Sequence, residues 1–209
     1  MQFLQGRDGP VITHAAHDGS VRSGNPAAKP SCLAEAMPLN PEAMSEFRFI
    51  PPCSPIRANE VPAGDGWLHE VKFDGYRVQV HKLDSRVVLL SRNGHDFTDR
   101  FPSIAQQLLE LPAKSAVLDG EVVASDADGR PNFARLHVRW TRPGTIRLWA
   151  FDLLAFNGRD LRPQPLVKRQ ARLQVLLERF GCPAVTLSEP FDDGLALLRI
   201  AEEHRLEEW

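Results

Sequence analysis

The feature that most restricts this chain is a pair of alternating runs, Tyr76-Arg77-Val78-Gln79-Val80-His81 and Arg86-Val87-Val88-Leu89-Leu90-Ser91, separated by a short turn at Leu83-Asp84-Ser85. A period of two sends alternate side chains to opposite faces, and so short a connection lets the runs pair only as an antiparallel hairpin. The hairpin is expected to be half-buried, with its ends bringing Glu70–Arg77 close to Arg92-Asn93-Gly94. Trp67-Leu68-His69-Glu70-Val71 reads as a strand entering that charged segment.

The rest of the ordered pattern mixes strands with separate helices. A helix is expected from Phe101-Pro102 onward, with Ile104, Leu108 and Leu111 on one face and Pro112 stopping it. Ser115–Leu118 is a strand delivering Asp119-Gly120-Glu121 and continuing through Val122–Ala124. Asn132–Arg139 reads as a short helix, and Thr145–Leu154 as an apolar strand ended by Asn157-Gly158. Leu166–Phe180 is an amphipathic helix with Leu166, Leu173, Leu176 and Leu177 as its stripe. Val185–Leu187 is a short strand and Asp192–His204 a last helix. Hairpins and isolated runs without regular βαβ spacing point to an α+β class, with packed helices on a mostly antiparallel sheet.

Residues 1–45 contrast with this. They are rich in Gly, Pro, Ala and Ser and show neither period, so they are expected to be a flexible tail or linker before a folded unit over 46–209, with a short structured extension as the alternative. Phe49–Ile56, with three prolines, is unsuited to a helix and should lie extended against the domain edge. The net charge of -2 excludes a global polycationic binder, so nucleic-acid contact requires a local basic face or a partner domain. Cys32, Cys53 and Cys182 are odd in number and not at metal-ligand spacing, which suits reduced thiols and a cytoplasmic setting. No run approaches the roughly 20 apolar residues of a membrane span, so no membrane partner is expected.

Glu70-Val71-Lys72-Phe73-Asp74-Gly75-Tyr76-Arg77 carries more charge than a buried strand needs. In extended backbone Lys72 and Asp74 project to one side and Phe73 to the other, while Gly75 lets the chain turn close to a ligand. A partly desolvated lysine, with phosphates balanced by Arg77 and Arg92, can lose its proton and attack an α-phosphorus to give a lysine-nucleotide phosphoramidate. Asp74 can orient the amine. Glu121 and Asp152, at the ends of apolar strands, are candidates for holding a divalent cation. His69, His81, His95, His137 and His204 show no ligand spacing, and Trp140 and Trp149 read as core.

Four ordered motifs, Glu70–Arg77, Ser91-Arg92-Asn93-Gly94, Leu118-Asp119-Gly120-Glu121 and Phe151-Asp152-Leu153-Leu154, carry a resemblance. From about Phe47 to its last residue the chain resembles the adenylation (nucleotidyltransferase) domain of bacterial ATP-dependent DNA ligases of the double-strand break repair type, an ATP-grasp-like fold. The resemblance implies that Lys72 attacks ATP, releases pyrophosphate and carries AMP to the 5′-phosphate of nicked double-stranded DNA. It implies that Glu70 lies near the adenine, and that Arg77 and Arg92 contact ribose, phosphate or the DNA 5′ end. Glu121 would act on ribose and metal, and Phe151 would stack on adenine. ATP and Mg2+ (or Mn2+) are the implied cofactors, and a DNA end-binding repair protein is an implied further partner.

The chain also departs from the family pattern. Glu207 falls at the glutamate of a Glu-Gly motif, where it would contribute to a metal site, yet Glu208 stands in the glycine's place. Later lysine motifs and an OB-fold domain are absent from this sequence, so the adenylation domain is expected to be incomplete at its C-terminus and impaired in catalysis. Two alternatives stay open: a non-catalytic remnant that binds nucleotide, DNA or a repair partner, and an RNA ligase or capping-type nucleotidyltransferase.

Overall fold

The computed structural model describes residues 3–6, 11–15, 48–53, 56–58, 61–62, 67–126, 133–137 and 146–203. In chain order the elements are β1 (Phe3–Gly6), β2 (Val11–Ala15), β3 (Ile56–Ala58), β4 (Trp67–Val71), β5 (Tyr76–Leu83), β6 (Arg86–Ser91), α1 (Pro102–Leu108), β7 (Ser115–Ala124), β8 (Ile146–Phe156), β9 (Arg159–Asp160), α2 (Leu166–Phe180), β10 (Val185–Leu187) and α3 (Gly194–Glu203). The expected α+β class with a mostly antiparallel sheet is the class observed.

The alternating runs form the β5–β6 hairpin, in register from Val78 opposite Ser91 to Leu83 opposite Arg86. Asp84 takes the positive-φ position of its turn. The larger sheet runs β10-β8-β7-β5-β6, with β9 also on β8, and only the β8–β10 pairing is parallel. Val78, Val80, Leu118 and Leu148 join Ile104 and Leu108 of α1 and Leu173, Leu176 and Leu177 of α2 in one apolar core. α2 stops where Gly181 enters the left-handed region at φ +61 and donates its N–H to the Leu177 carbonyl at 2.9 Å, a helix end that favours glycine. α3 is capped by Asp193, whose Oδ1 accepts the Ala196 N–H at 2.9 Å. α1 is shorter than expected, and Leu111 is buried beyond its end. Phe133–His137 within the expected short helix is a 3-10 turn. No helix among the described residues is long and apolar enough to cross a membrane.

The other face of this sheet carries Arg77, Gln79, Asp119 and Glu121. Gln79 is buried, and its carboxamide supplies what an extended backbone needs. The Ile50 N–H donates to Gln79 Oε1 at 3.1 Å, and Gln79 Nε2 donates back to the Ile50 carbonyl. The proline-rich approach therefore crosses the sheet face, where Ile50 packs on Val117, Leu154 and Ala155, rather than following the domain edge.

A second sheet has the order β3-β1-β2-β4. Within residues 1–45, read from composition as a tail, Phe3–Gly6 and Val11–Ala15 are strands, and the latter pairs antiparallel with β4 from Val11–Val71 to Ala15–Trp67. The remainder of that span lies outside the described residues. β4 is held to the far end of the chain as well, since His69 and Phe191 exchange backbone hydrogen bonds at 2.9 and 2.7 Å.

Gly120 marks a tight backbone approach between β7 and β8. A Cβ there would lie 2.6 Å from the Trp149 carbonyl oxygen, and a backbone atom in a ladder cannot step aside. Gly120→Ala is expected to destabilise the fold by about 1–3 kcal/mol, the range of overpacking changes. Urea unfolding checks this, and an unchanged midpoint would contradict it.

Candidate active site

The Lys72-Phe73-Asp74 stretch is the crossover between the two sheets: β4 ends at Val71 in the smaller and β5 begins at Tyr76 in the larger. Lys72 is half-buried and Asp74 exposed. These residues are outside any ladder. Phe73 stacks on Trp149 of β8 at 4.4 Å between ring centroids and 22° between planes. Trp149 sits opposite Glu121, so this stack ties the lysine segment to the polar face of the sheet. Gly75 has a reason other than ligand approach, because a Cβ there would lie 2.3 Å from the Val122 carbonyl oxygen of β7.

Two bulges shape the same face. Asp119 faces Asp152 while Gly120 faces Ala150, so Phe151 is the extra residue of β8, and Leu154 is extra in the same way. Such insertions bend a strand and re-aim its side chains. Beside the Phe151 bulge, Arg77 donates to Asp119 through Nε at 3.2 Å and Nη2 at 2.9 Å, and through Nη1 to the Cys53 carbonyl at 3.0 Å. Its guanidinium carbon is 5.4 Å from the centre of the Phe151 ring.

Burial works against both charges of this pair. For Arg77 the charge and hydrogen bonds of Asp119 outweigh it, and the pKa rises. For Asp119 burial pushes the carboxyl up, opposed by Arg77 and reinforced by Asp152. The two-pronged geometry is that of a charge-assisted pair, and we read Asp119 as ionised. Asp152 is likewise gripped by Arg169 of α2, with both bonds at 2.8 Å and both residues 4% exposed.

Glu70 is 2% exposed, and its Oε1 accepts from Gln170 Nε2 at 2.6 Å. Glu121 lies opposite Arg77. Burial pushes its carboxyl up to about 8; Asp119 and Asp74 add to the rise, and Arg77 opposes it.

The folded state thus retains a proton on Glu121 that the unfolded chain loses from its usual 4.5 upward, so this group lowers stability as pH rises from 4.5 to about 8. His81 acts oppositely, because burial lowers it from 6.5 to about 4, and stability increases with pH across that interval. Glu121→Gln is expected to raise the melting temperature at pH 8 by roughly several degrees and to change it little near pH 5. Equal shifts at the two pH values would contradict this origin.

Lys72, Asp74, Arg77, Glu121 and Phe151 therefore belong to one region where the crossover meets β5, β7 and β8. Arg92 is exposed on the turn after β6, whose last residue, Ser91, faces Val78. The carboxylate of Asp152, expected as a metal ligand, accepts two hydrogen bonds from Arg169. Glu207 lies outside the described residues. Among the described residues no group of three or more His, Cys, Asp or Glu forms a metal-holding cluster.

Sequence reasoning gave no role to Asp119, Arg169 or Gln170. The last two had a signal: they sit on the stripe of α2 at positions where the period of Leu166 and Leu173 calls for apolar residues.

A family profile described as "ATP dependent DNA ligase domain" matches residues 32–189. The chain is 38% identical over 158 residues to the multifunctional non-homologous end joining protein LigD of Pseudomonas aeruginosa, covering 75% of this chain and 18% of that protein. The crystal structure of the ligase domain from M. tuberculosis LigD superposes with a TM-score of 0.55 at 34% identity, over 63% of this chain and 43% of that one. A mycobacterial DNA ligase D complexed with ATP and MES gives 0.54 at 32% identity, with the same coverages. The chain thus spans less than half of each of these relatives.

Proposed function

This chain belongs to the ATP-dependent DNA ligases, and from that premise we propose that Lys72 takes the adenylyl group of ATP as a covalent lysyl-adenylate, for transfer to the 5′-phosphate of nicked duplex DNA. The observation that supports this most is the setting of Lys72: half-buried on the crossover between two sheets, with the adjoining Phe73 locked on Trp149. A side chain that ends a strand and is anchored by its neighbour approaches a bound nucleotide in one orientation, which is what an in-line attack requires.

In the first step the neutral Lys72 amine attacks the α-phosphorus. A phosphorus–nitrogen bond forms, the bond from the α-phosphorus to the pyrophosphate oxygen breaks with its electron pair leaving on pyrophosphate, and the proton shed by the nitrogen passes to solvent. Asp74 orients the amine. The Phe151 ring offers a face for the base, and Arg77, fixed by Asp119, keeps its positive charge beside the phosphates.

Mg2+ commonly binds through one or two carboxylates together with substrate phosphates. Glu121, with Asp74 close enough to raise its pKa, fits that mode. Bound there, the ion would offset the phosphate charge. Asp152 is assigned to support of the Phe151 bulge rather than to the ion.

In the next step a phosphate oxygen at the DNA 5′ end would take the adenylyl group from Lys72, activating that end for attack by the 3′-hydroxyl. Nicked duplex DNA is therefore the proposed partner, and an end-binding repair protein a further one, by analogy with the end-joining LigD of P. aeruginosa.

ATP labelled at either the α- or the γ-phosphorus tests the reaction class. Label from the α-position is expected to stay with the protein and γ-label to leave with pyrophosphate. Retention of γ-label alone would mean phosphoryl rather than adenylyl transfer and would overturn the reading.

A further inference from the structure

Gln170 is 5% exposed, and its Nε2 donates to Glu70 Oε1 at 2.6 Å and to the Phe151 carbonyl at 3.2 Å. Its Oε1 is the one buried side-chain nitrogen or oxygen among the described residues that has no hydrogen-bond partner. Turning the amide over offers no remedy, because it would set Oε1 against a carboxylate and a carbonyl, both acceptors. The two acceptors fix the orientation, and the orphaned oxygen is the uncompensated cost. A residue needed only to fill space at this point of α2 would be leucine or methionine, with nothing left unpaired.

What the amide joins is specific. Glu70 lies two residues before Lys72, at the end of β4 in the smaller sheet, and Phe151 is the bulged residue of β8 in the larger one. Arg169, the preceding residue, grips Asp152, so consecutive residues of α2 hold consecutive residues of β8. Gln170 also reaches across to β4.

We infer that Gln170 is a positioning residue for the transfer reaction, setting β4, which leads into Lys72, against the segment that carries the Phe151 ring. This rests on the reading of Lys72 as nucleophile and of Phe151 as the face for the base. It acts through Glu70 and the Phe151 backbone rather than on the nucleotide.

The test is single-turnover adenylation of the full chain by ATP and Mg2+, comparing the parent with Gln170→Met. Methionine keeps the volume and removes the orphaned oxygen, so the fold should survive. The rate constant at saturating ATP is expected to fall about tenfold, as a small misplacement of reacting groups would cause. The final fraction modified should stay as in the parent, while the melting temperature should fall by a few degrees, because the buried Glu70 carboxylate and the Phe151 carbonyl lose the donor they share.

Gln170→Glu provides a second arm, because two facing carboxyl groups hold one proton between them more readily as pH falls. Its rate relative to the parent should recover on acidification. A Gln170→Met chain that reacts at the parent's rate would overturn the inference and leave Lys72 untouched. A lowered final fraction with an unchanged rate constant would show a folding role alone and would also overturn it. A parent chain that forms no Lys72 adduct would remove the reading beneath it.

Discussion

Replacing Lys72 with alanine is expected to abolish formation of the protein–adenylate, lowering its rate on the order of a thousandfold or more, because no other group then supplies the attacking electron pair. Lys72→Arg should fail as completely. A guanidinium keeps the positive charge but does not give up its proton near neutral pH. The pair of variants separates nucleophilic attack from charge neutralisation: if Lys72 served only to balance phosphate charge, arginine would retain much of the activity. Acid-labile label from α-labelled ATP is the measurement. Lys72 is half-buried and stands outside the strand ladders, so circular dichroism should show both variants folded.

The second large effect is expected on stability. Arg169→Ala leaves the Asp152 carboxylate buried at 4% exposure without the cation that grips it from two sides. Breaking such a pair on one side typically costs about 3–5 kcal/mol, far more than the net worth of an intact pair. The loss includes the bonds from Arg169 to the Arg162 and Gln164 carbonyls that hold the start of α2. Asp119 lies next to Asp152 and already feels its charge, so the orphaned carboxylate would also work against the Arg77–Asp119 pair. A melting temperature lower by roughly 10 °C is the expected result. The double variant Arg169→Met with Asp152→Asn should recover a substantial part, since it removes the uncompensated charge. An unchanged melting temperature in Arg169→Ala would contradict this account of the network.

Much of the fold was legible because its strands and helices obey their periods. The hairpin from Tyr76, the Leu166–Phe180 helix and the Val185–Leu187 strand appear with the bounds or turns expected of them. Periodicity says nothing of a bulge, however. β8 reads as one apolar run, and only its pairing with β7 reveals that Phe151 and Leu154 are extra residues. The course of Phe49–Cys53 is hidden from the sequence pattern for a related reason. Proline content excludes a helix, but the face such a segment crosses depends on a partner such as Gln79, twenty-nine residues from Ile50.

At the site, residue types in the charged segment were informative and their partners were not. Arg77 was read as a phosphate contact, and its pairing with Asp119 and Cys53 emerges only when β5 and β7 are aligned. Asp152 reads as a cation candidate because it ends an apolar run, and the group that engages it comes from α2, seventeen residues later. The polar pair Arg169-Gln170 on a buried stripe was the available clue. A charged or amide residue at a core position of an amphipathic helix requires a partner, and the partner identifies what the helix is there to hold.

The central claim, that this chain carries AMP on Lys72, is tested most directly by intact-protein mass spectrometry after incubation with ATP and Mg2+, followed by mapping of the modified peptide. The account predicts a single added adenylate, located on Lys72. A folded chain that gains no adenylate, or one that gains it on another residue, would contradict it.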